Sequence, residues 1–334
     1  MSDDLALSVK DLRTFIYANK RCNKAVNGVS FDIRKGKTLG IVGESGSGKS
    51  VTASSIMQLL PHLSRIEEGS ITYNSGRGPI RIDRLDRDGP EMRAIRGDEI
   101  AMIFQDPMTA LNPVYTVGYQ IEESLRYHTN LDAAGRRKRV VELLTDMGIP
   151  LPERRADEYP HQFSGGMRQR AMIAMAMSCN PKILIADEPT TALDVTIQAQ
   201  IFHLINKLKE ENGTAIILIT HDMGVIAELA DEVAVMYMGK IVEAGTVEEV
   251  LRTPRHPYTR ALLDSIPVLG RGKKQDIKPI RGATPDPYDR PKGCQFAPRC
   301  DFATDACNAV PAEEWLGATH RVVCHHTKEV FADA

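Results

Sequence analysis

The sequence predicts an α/β fold, and three observations predict it. The octet Gly43-Glu44-Ser45-Gly46-Ser47-Gly48-Lys49-Ser50 follows an apolar run at 38–42 and precedes a run of helical character at 51–60. Strand, glycine-rich turn and helix, in that order around G-x-x-x-x-G-K-S, make a P-loop. Far downstream, the apolar run 182–186 ends in Asp187-Glu188, which reads as a buried strand delivering acids to one edge of a parallel sheet. A third apolar run, 215–219, ends in Thr220-His221-Asp222.

The bulk composition sets the frame. A chain of 334 residues holds one large domain or two smaller ones and can bury a sizeable core. It is 42% hydrophobic and 26% charged, and its net charge of −2 gives no electrostatic case for nucleic acid. No apolar run approaches the length of a membrane span, and the acidic start Met1-Ser2-Asp3-Asp4 does not read as a signal peptide. The expectation is a cytosolic protein that meets a membrane only through partners. Six cysteines in that setting point to thiols or a metal site rather than disulfides.

In chain order, 5–9 and 29–33 read as strands around a polar turn at 19–23, with Phe15 and Tyr17 in the first loop. Either ring could stack on a nucleotide base; packing onto the sheet is the competing reading. In the P-loop, small residues let backbone N–H groups wrap phosphate oxygens at the positive end of the next helix. Lys49 would reach the outer phosphates and Ser50 would bind Mg2+. A hairpin is expected at 69–73 and 80–82, and a short strand at 100–104 runs into Gln105-Asp106-Pro107.

From about 117 to 178 the pattern turns helical, at 120–127, 133–147 and 154–159, which reads as a helical insertion in the α/β domain. It closes with Ser164-Gly165-Gly166 before an apolar helical run at 171–177. Ser-Gly-Gly there is either an anion-binding helix start or an ordinary cap. Asp187 suits Mg2+ coordination through water, and Glu188 suits polarising an attacking water. Residues 190–194 lead into a helix at 195–211, and His221, ending a core strand, suits a γ-phosphate contact. A last strand pair, 233–237 and 240–243, surrounds Met238-Gly239.

Taken together, these motifs resemble the nucleotide-binding domain of an ABC ATPase over residues 5–250. The resemblance implies a RecA-like core with an antiparallel β subdomain and a helical subdomain at about 114–178. It implies Walker A at Gly43, Ser45, Gly46, Gly48, Lys49, Ser50 and Val51, and a Q-loop at Gln105. It also implies the signature Ser164-Gly165-Gly166, Walker B ending in Asp187 and Glu188, a D-loop at Asp194 and a switch histidine at His221. Tyr17 is the choice for the adenine-stacking ring, with Phe15 the alternative. Ser50, Gln105 and Asp187 are then the implied Mg2+ ligands. Phe163 and Met167 depart from the commonest L-S-G-G-Q signature while the anion-binding core is intact. The implied mechanism closes Walker A of one subunit and the signature of another on one ATP.

The resemblance narrows through Phe104-Gln105-Asp106-Pro107-Met108-Thr109-Ala110-Leu111-Asn112-Pro113, the stretch 185–196, and Arg255-His256-Pro257-Tyr258-Thr259-Arg260-Ala261-Leu262-Leu263. These are similar to the dipeptide/oligopeptide permease branch. That implies uptake of peptides by an inner-membrane complex of two permease subunits, a solute-binding protein and a second ATPase, related or identical. This chain would then sit on the cytoplasmic face.

Residues 251–334 form an extension in which eight prolines between Pro254 and Pro298 make helices scarce, with a basic linker at 271–278. Cys294, Cys300, Cys307 and Cys324, spaced C-x5-C-x6-C-x16-C, suit zinc or an iron–sulfur cluster. The zinc case lacks the usual C-x2-C knuckle. The peptide-permease resemblance implies a 4Fe–4S cluster; His325 and His326 are alternative ligands to zinc. Cys22 and Cys179 read as unliganded thiols. A soluble ABC ATPase acting on nucleic acid or ribosomes is the rival reading. Such proteins usually carry two ATPase cores or a long insertion, and this chain has one core and a short insertion. Nickel chelates, glutathione or oligosaccharides are alternative cargoes.

Overall fold

A computed structural model describes residues 4–18, 20–106, 110–190, 194–265 and 279–328. Residues 107–109 of the Q-loop motif, 191–193 before Asp194, Pro267 and the basic linker 271–278 lie outside the described residues.

The chain opens with two long strands, β1 (Leu5–Ala18) and β2 (Arg21–Arg34), which absorb the loop expected between them. Phe15 and Tyr17 are therefore strand residues. The short reading failed because Asp11, at φ +46°, breaks the alternation: Leu7 and Val9 are buried before it, Leu12 and Thr14 after it. Period-two patterning shifts phase at such a kink and ceases to look like one strand.

Then come β3 (Thr38–Val42), α1 (Lys49–Ile56), β4 (Ser64–Asn74), β5 (Pro79–Arg81), α2 (Pro90–Ile95) and β6 (Ile100–Ile103). The helix expected at 51–60 starts earlier and stops at Ile56, where Gln58 takes φ +53°. The helical stretch holds α3 (Val117–His128), α4 (Ala133–Asp146), α5 (Pro152–Arg155) and α6 (Gly165–Ala176). Side-chain oxygens of Thr116, Asp132 and Ser164 cap the first, second and fourth of these by accepting a backbone N–H. The helix expected at 154–159 is only the single turn α5, ahead of Pro160. There follow β7 (Ile183–Asp187), α7 (Val195–Asn212), β8 (Ala215–Ile219), α8 (Met223–Leu229), β9 (Glu232–Tyr237) and β10 (Lys240–Thr246). Next is α9 (Val247–Arg252), and the extension contributes α10 (Pro257–Asp264), β11 (Glu313–Trp315) and β12 (Arg321–Val323).

The chain divides into two compact units. One comprises Met1–Ser8, Asp32–Thr38 and Thr72–Ile219. Its core is the parallel set β6-β7-β8, in register from Ile100↔Ile183 and Ile183↔Ala215 to Asp187↔Ile219. Every residue of these three strands is buried, so they read as continuous apolar runs. Its β4–β5 hairpin pairs Thr72↔Arg81, close to expectation.

The other unit comprises Val9–Phe31, Leu39–Ile71 and Thr220–Ala334. Here β3 runs parallel to β9, which turns through Met238 and Gly239, at φ +46° and +81°, into antiparallel β10. Two consecutive positive φ values suit the tight turn of a twisted hairpin. The extension then adds β12 to β10 and β11 to β12. Its prolines do not exclude helices: Pro257 occupies the first turn of α10, where the missing N–H costs nothing. His256 caps that helix, Nδ1 accepting the Tyr258 N–H at 3.0 Å. Full burial pushes the His256 pKa down to about 3, which keeps the ring neutral. The carboxylate of Glu243, 0% exposed, accepts from the Arg255 and His256 N–H groups and from His320 Nε2, joining β10 to both parts of the extension.

Candidate active site

The phosphate loop belongs to the second unit, and its glycines are dictated by close backbone approach. The β3–β9 register sets Val42 beside Val235, which puts Gly43 against Met236. A Cβ on Gly43, at φ +150°, would lie 2.1 Å from the Met236 carbonyl oxygen. One on Gly48, at φ +103°, would lie 2.4 Å from the Ala25 carbonyl oxygen. Only glycine fits either position. Ser45, Gly46 and Ser50 are exposed and Val51 is half-buried, while Lys49 is 6% exposed. Its ammonium donates to the carbonyls of Gly43 at 2.7 Å and Glu44 at 2.9 Å. The loop also rests on the β9–β10 turn, Gly239 N–H donating to the Ser47 carbonyl at 2.8 Å.

His221 lies in the same unit, exposed, one residue after Thr220, whose N–H donates to the Ile41 carbonyl at 3.3 Å. Asp222 then caps α8. The Tyr17 hydroxyl donates to Glu67, and the Arg65 guanidinium sits 4.8 Å from its ring centroid. The Glu67 bond holds the phenol above its ordinary pKa. Phe15 instead faces Lys24 Nζ at 5.6 Å.

In the first unit, β7 ends on buried Asp187, and Glu188 follows at φ +48° with its N–H donating to the Ile219 carbonyl at 2.8 Å. A left-handed acid at a strand end is a costly conformation of the kind kept at functional sites. Gln105 reaches it, Nε2 donating to Glu188 Oε2 at 3.2 Å. Ser164 caps the exposed start of α6, Oγ accepting the Met167 N–H at 3.3 Å, and open space surrounds Gly165. Gly166 is half-buried. Asp194 caps α7 in the same way, accepting from Ile197 at 3.1 Å. Fully buried Gln169 donates to the Pro189 carbonyl and so ties the Ser164 helix to the end of β7. The sequence reading missed Gln169, whose only signal was an amide on the buried face of an apolar helix.

All six cysteines are free thiols. Cys294 donates its N–H to the Cys307 carbonyl at 2.9 Å, and Cys324 Sγ accepts the His326 N–H at 3.3 Å. Burial first, then the neighbouring thiols, push Cys300 up to about 11 and Cys324 up to about 12. Even so, among the described residues no three His, Cys, Asp or Glu side chains are gathered so as to hold a metal ion. The metal centre expected at these four cysteines therefore finds no support in the arrangement of the described side chains. His325 Nε2 contacts the Ala309 carbonyl at 3.2 Å and His326 Nε2 the Thr304 hydroxyl at 2.9 Å.

Comparison with known proteins places these features. The family profile for ABC transporters matches residues 26–191, and that for the oligopeptide/dipeptide transporter C-terminal region matches residues 242–307. The dipeptide transport ATP-binding protein of Haemophilus influenzae is 48% identical over 96% of this chain and 94% of its own length. This chain belongs to the ABC transporter family, in the oligopeptide/dipeptide transporter branch. A peptide import ATP-binding protein of Brucella ovis is 50% identical over 99% of this chain and 100% of its own length. Among solved structures, a dimeric ATP-binding cassette in a post-hydrolysis state, bound to ADP and Pi, is 31% identical with a TM-score of 0.64. It covers 72% of this chain and 98% of that cassette. The chain is an ABC-type P-loop ATPase of mixed α/β structure. Among its described residues no helix is long and apolar enough to cross a membrane.

Proposed function

We propose that this chain is the ATP-hydrolysing subunit of a membrane importer of di- and oligopeptides. The observation that carries the proposal is the pairing of an ABC ATPase core with the oligopeptide/dipeptide C-terminal region in one chain, similar along nearly its whole length to a dipeptide transport ATP-binding protein. We read the division as an ATPase domain at 1–250, with its helical subdomain at about 114–178, and an extension at 251–334.

Within that reading, Gly43, Ser45, Gly46, Gly48 and Val51 line the phosphates with backbone N–H groups, and Lys49 neutralises the outer ones. Ser50, Asp187 and Gln105 offer hard oxygens, which fit Mg2+. A cation held there would supply neutralisation of the phosphate charge. Glu188, steadied by Gln105, orients the attacking water, and His221 contacts the γ-phosphate. Tyr17 stacks on the adenine. Ser164, Gly165, Gly166 and Asp194 complete the site of a facing ATPase subunit, either a second copy or a related chain. Membrane contact runs through two permease subunits at the cytoplasmic face, and a solute-binding protein delivers the peptide.

Cys294, Cys300, Cys307 and Cys324 are proposed to hold a 4Fe–4S cluster. What supports the reading is donor chemistry, four soft sulfurs within one segment of the extension, rather than arrangement, since the described side chains are not gathered around a common point. Proteoliposomes carrying the purified membrane complex test the function: ATP should drive accumulation of labelled peptides, and Glu188→Gln should stop it. A chain that co-purifies with ribosomes or nucleic acid and no permease would refute it.

A further inference from the structure

The second residue of the phosphate loop is a carboxylate, an unfavourable charge beside a polyanionic nucleotide. Glu44 does not face solvent freely: the extension holds it at two points. Arg299 grips the carboxylate with both ends of its fork, Nη1 to Oε2 at 2.6 Å and Nη2 to Oε1 at 2.9 Å. The Arg299 side chain is 4% exposed, and its Nε donates to the Arg281 carbonyl at 2.9 Å. Its guanidinium lies 5.9 Å from the ring centroids of both Tyr237 and Phe296. Tyr258, buried in α10 and packed on the same two rings at 4.6 and 5.3 Å, accepts the Glu44 N–H at 2.8 Å. The Glu44 carbonyl in turn anchors the Lys49 ammonium. A second arm, Arg290, donates to the Met238 carbonyl, next to Gly239, whose N–H holds the Ser47 carbonyl.

We propose that Arg299 and Tyr258 are positioning residues for nucleotide binding: they cancel and fix Glu44, and through its carbonyl they set Lys49. An ATPase core ordinarily shapes its own phosphate loop. Here that task is shared with residues 214 and 255 positions downstream, so nucleotide affinity depends on the extension being folded. Bidentate, buried, charge-assisted pairs are the geometry in which arginine is least replaceable by lysine. Loss of Arg299 would leave the carboxylate uncompensated beside the phosphates.

The inference rests on the P-loop reading above, and the experiment separates the two. Fluorescent ATP binding and the KM and kcat for ATP are measured on the purified full-length chain. Lys49→Ala tests the P-loop reading alone; unimpaired nucleotide binding in that variant refutes that reading. Arg299→Gln should raise Kd and KM for ATP roughly tenfold, equivalent to about 1.4 kcal/mol, with kcat changed far less. Arg299→Lys should fall between. Adding Glu44→Gln to Arg299→Gln should recover most of the affinity, because the offending charge is gone. Failure of that rescue would show that Arg299 acts by supporting the extension and would overturn the proposal. So would unchanged affinity in Arg299→Gln. If Arg299→Gln does not fold, Arg299→Lys and Tyr258→Phe decide instead. Each should weaken ATP about threefold, or about 0.65 kcal/mol, and wild-type KM in both would overturn it.

Discussion

Two glycines of the phosphate loop face different surroundings, and alanine at each should report the difference. Gly46 and Gly48 both sit at positive φ, +79° and +103°. A side chain at either pays a backbone cost of about 1–2 kcal/mol. A Cβ on Gly46 meets nothing within 4 Å, whereas one on Gly48 meets the Ala25 carbonyl at 2.4 Å and the Gly239 Cα at 3.4 Å. Neither neighbour yields easily. Ala25 lies in β2, and Gly239 forms the β9–β10 turn, with its carbonyl accepting the Asn27 N–H at 2.8 Å. Overpacking of this kind adds about 1–3 kcal/mol. Gly48→Ala should therefore be less stable than Gly46→Ala by about 2 kcal/mol, read as the shift in urea midpoint at unchanged slope. Loss of nucleotide binding cannot stand in for this measurement, since both residues are proposed to line the phosphates. Equal midpoints for the two variants would refute the reasoning, showing that the loop yields where the packing says it cannot.

Three further outcomes are expected. Glu188→Gln should lower kcat about 10²–10⁴-fold, the range for loss of a general base, while ATP still binds; near-normal turnover would remove Glu188 from its assigned role. Cys300→Ser should lower iron and acid-labile sulfide in anaerobically purified protein, and unchanged content would count against the four-thiol site. Acidification should loosen the extension. The folded pKa of His256 lies near 3, below its ordinary 6.5, so its contribution is complete above pH 6.5 and is lost as pH falls towards 3. The slope is about 1.4 kcal/mol per pH unit across that window. Thermal melts against pH should show it, and His256→Asn, which can still cap α10, should flatten it; identical slopes would rule the histidine out.

Much of the candidate site was legible in the linear chain because its pieces are local. Gly43 to Ser50 carry strand, turn and helix within a few residues, and β7 announces itself as an apolar run ending in two acids. Such signals depend on backbone geometry and the immediate neighbourhood, which the chain order already contains. The helix at 154–159 and the short first strand were misread where a proline or a kinked residue such as Asp11 changed the pattern's phase. The grip of Arg299 and Tyr258 on Glu44 was not legible. It joins residues more than 200 positions apart, and Arg299 in sequence is one more basic residue in a proline-rich stretch. Nor did composition reveal that β11 and β12 complete the edge of a sheet begun by β3 and β9. Residue order determined which groups could do chemistry; tertiary packing decided what holds them, because burial, register and charge pairing exist only once distant segments meet.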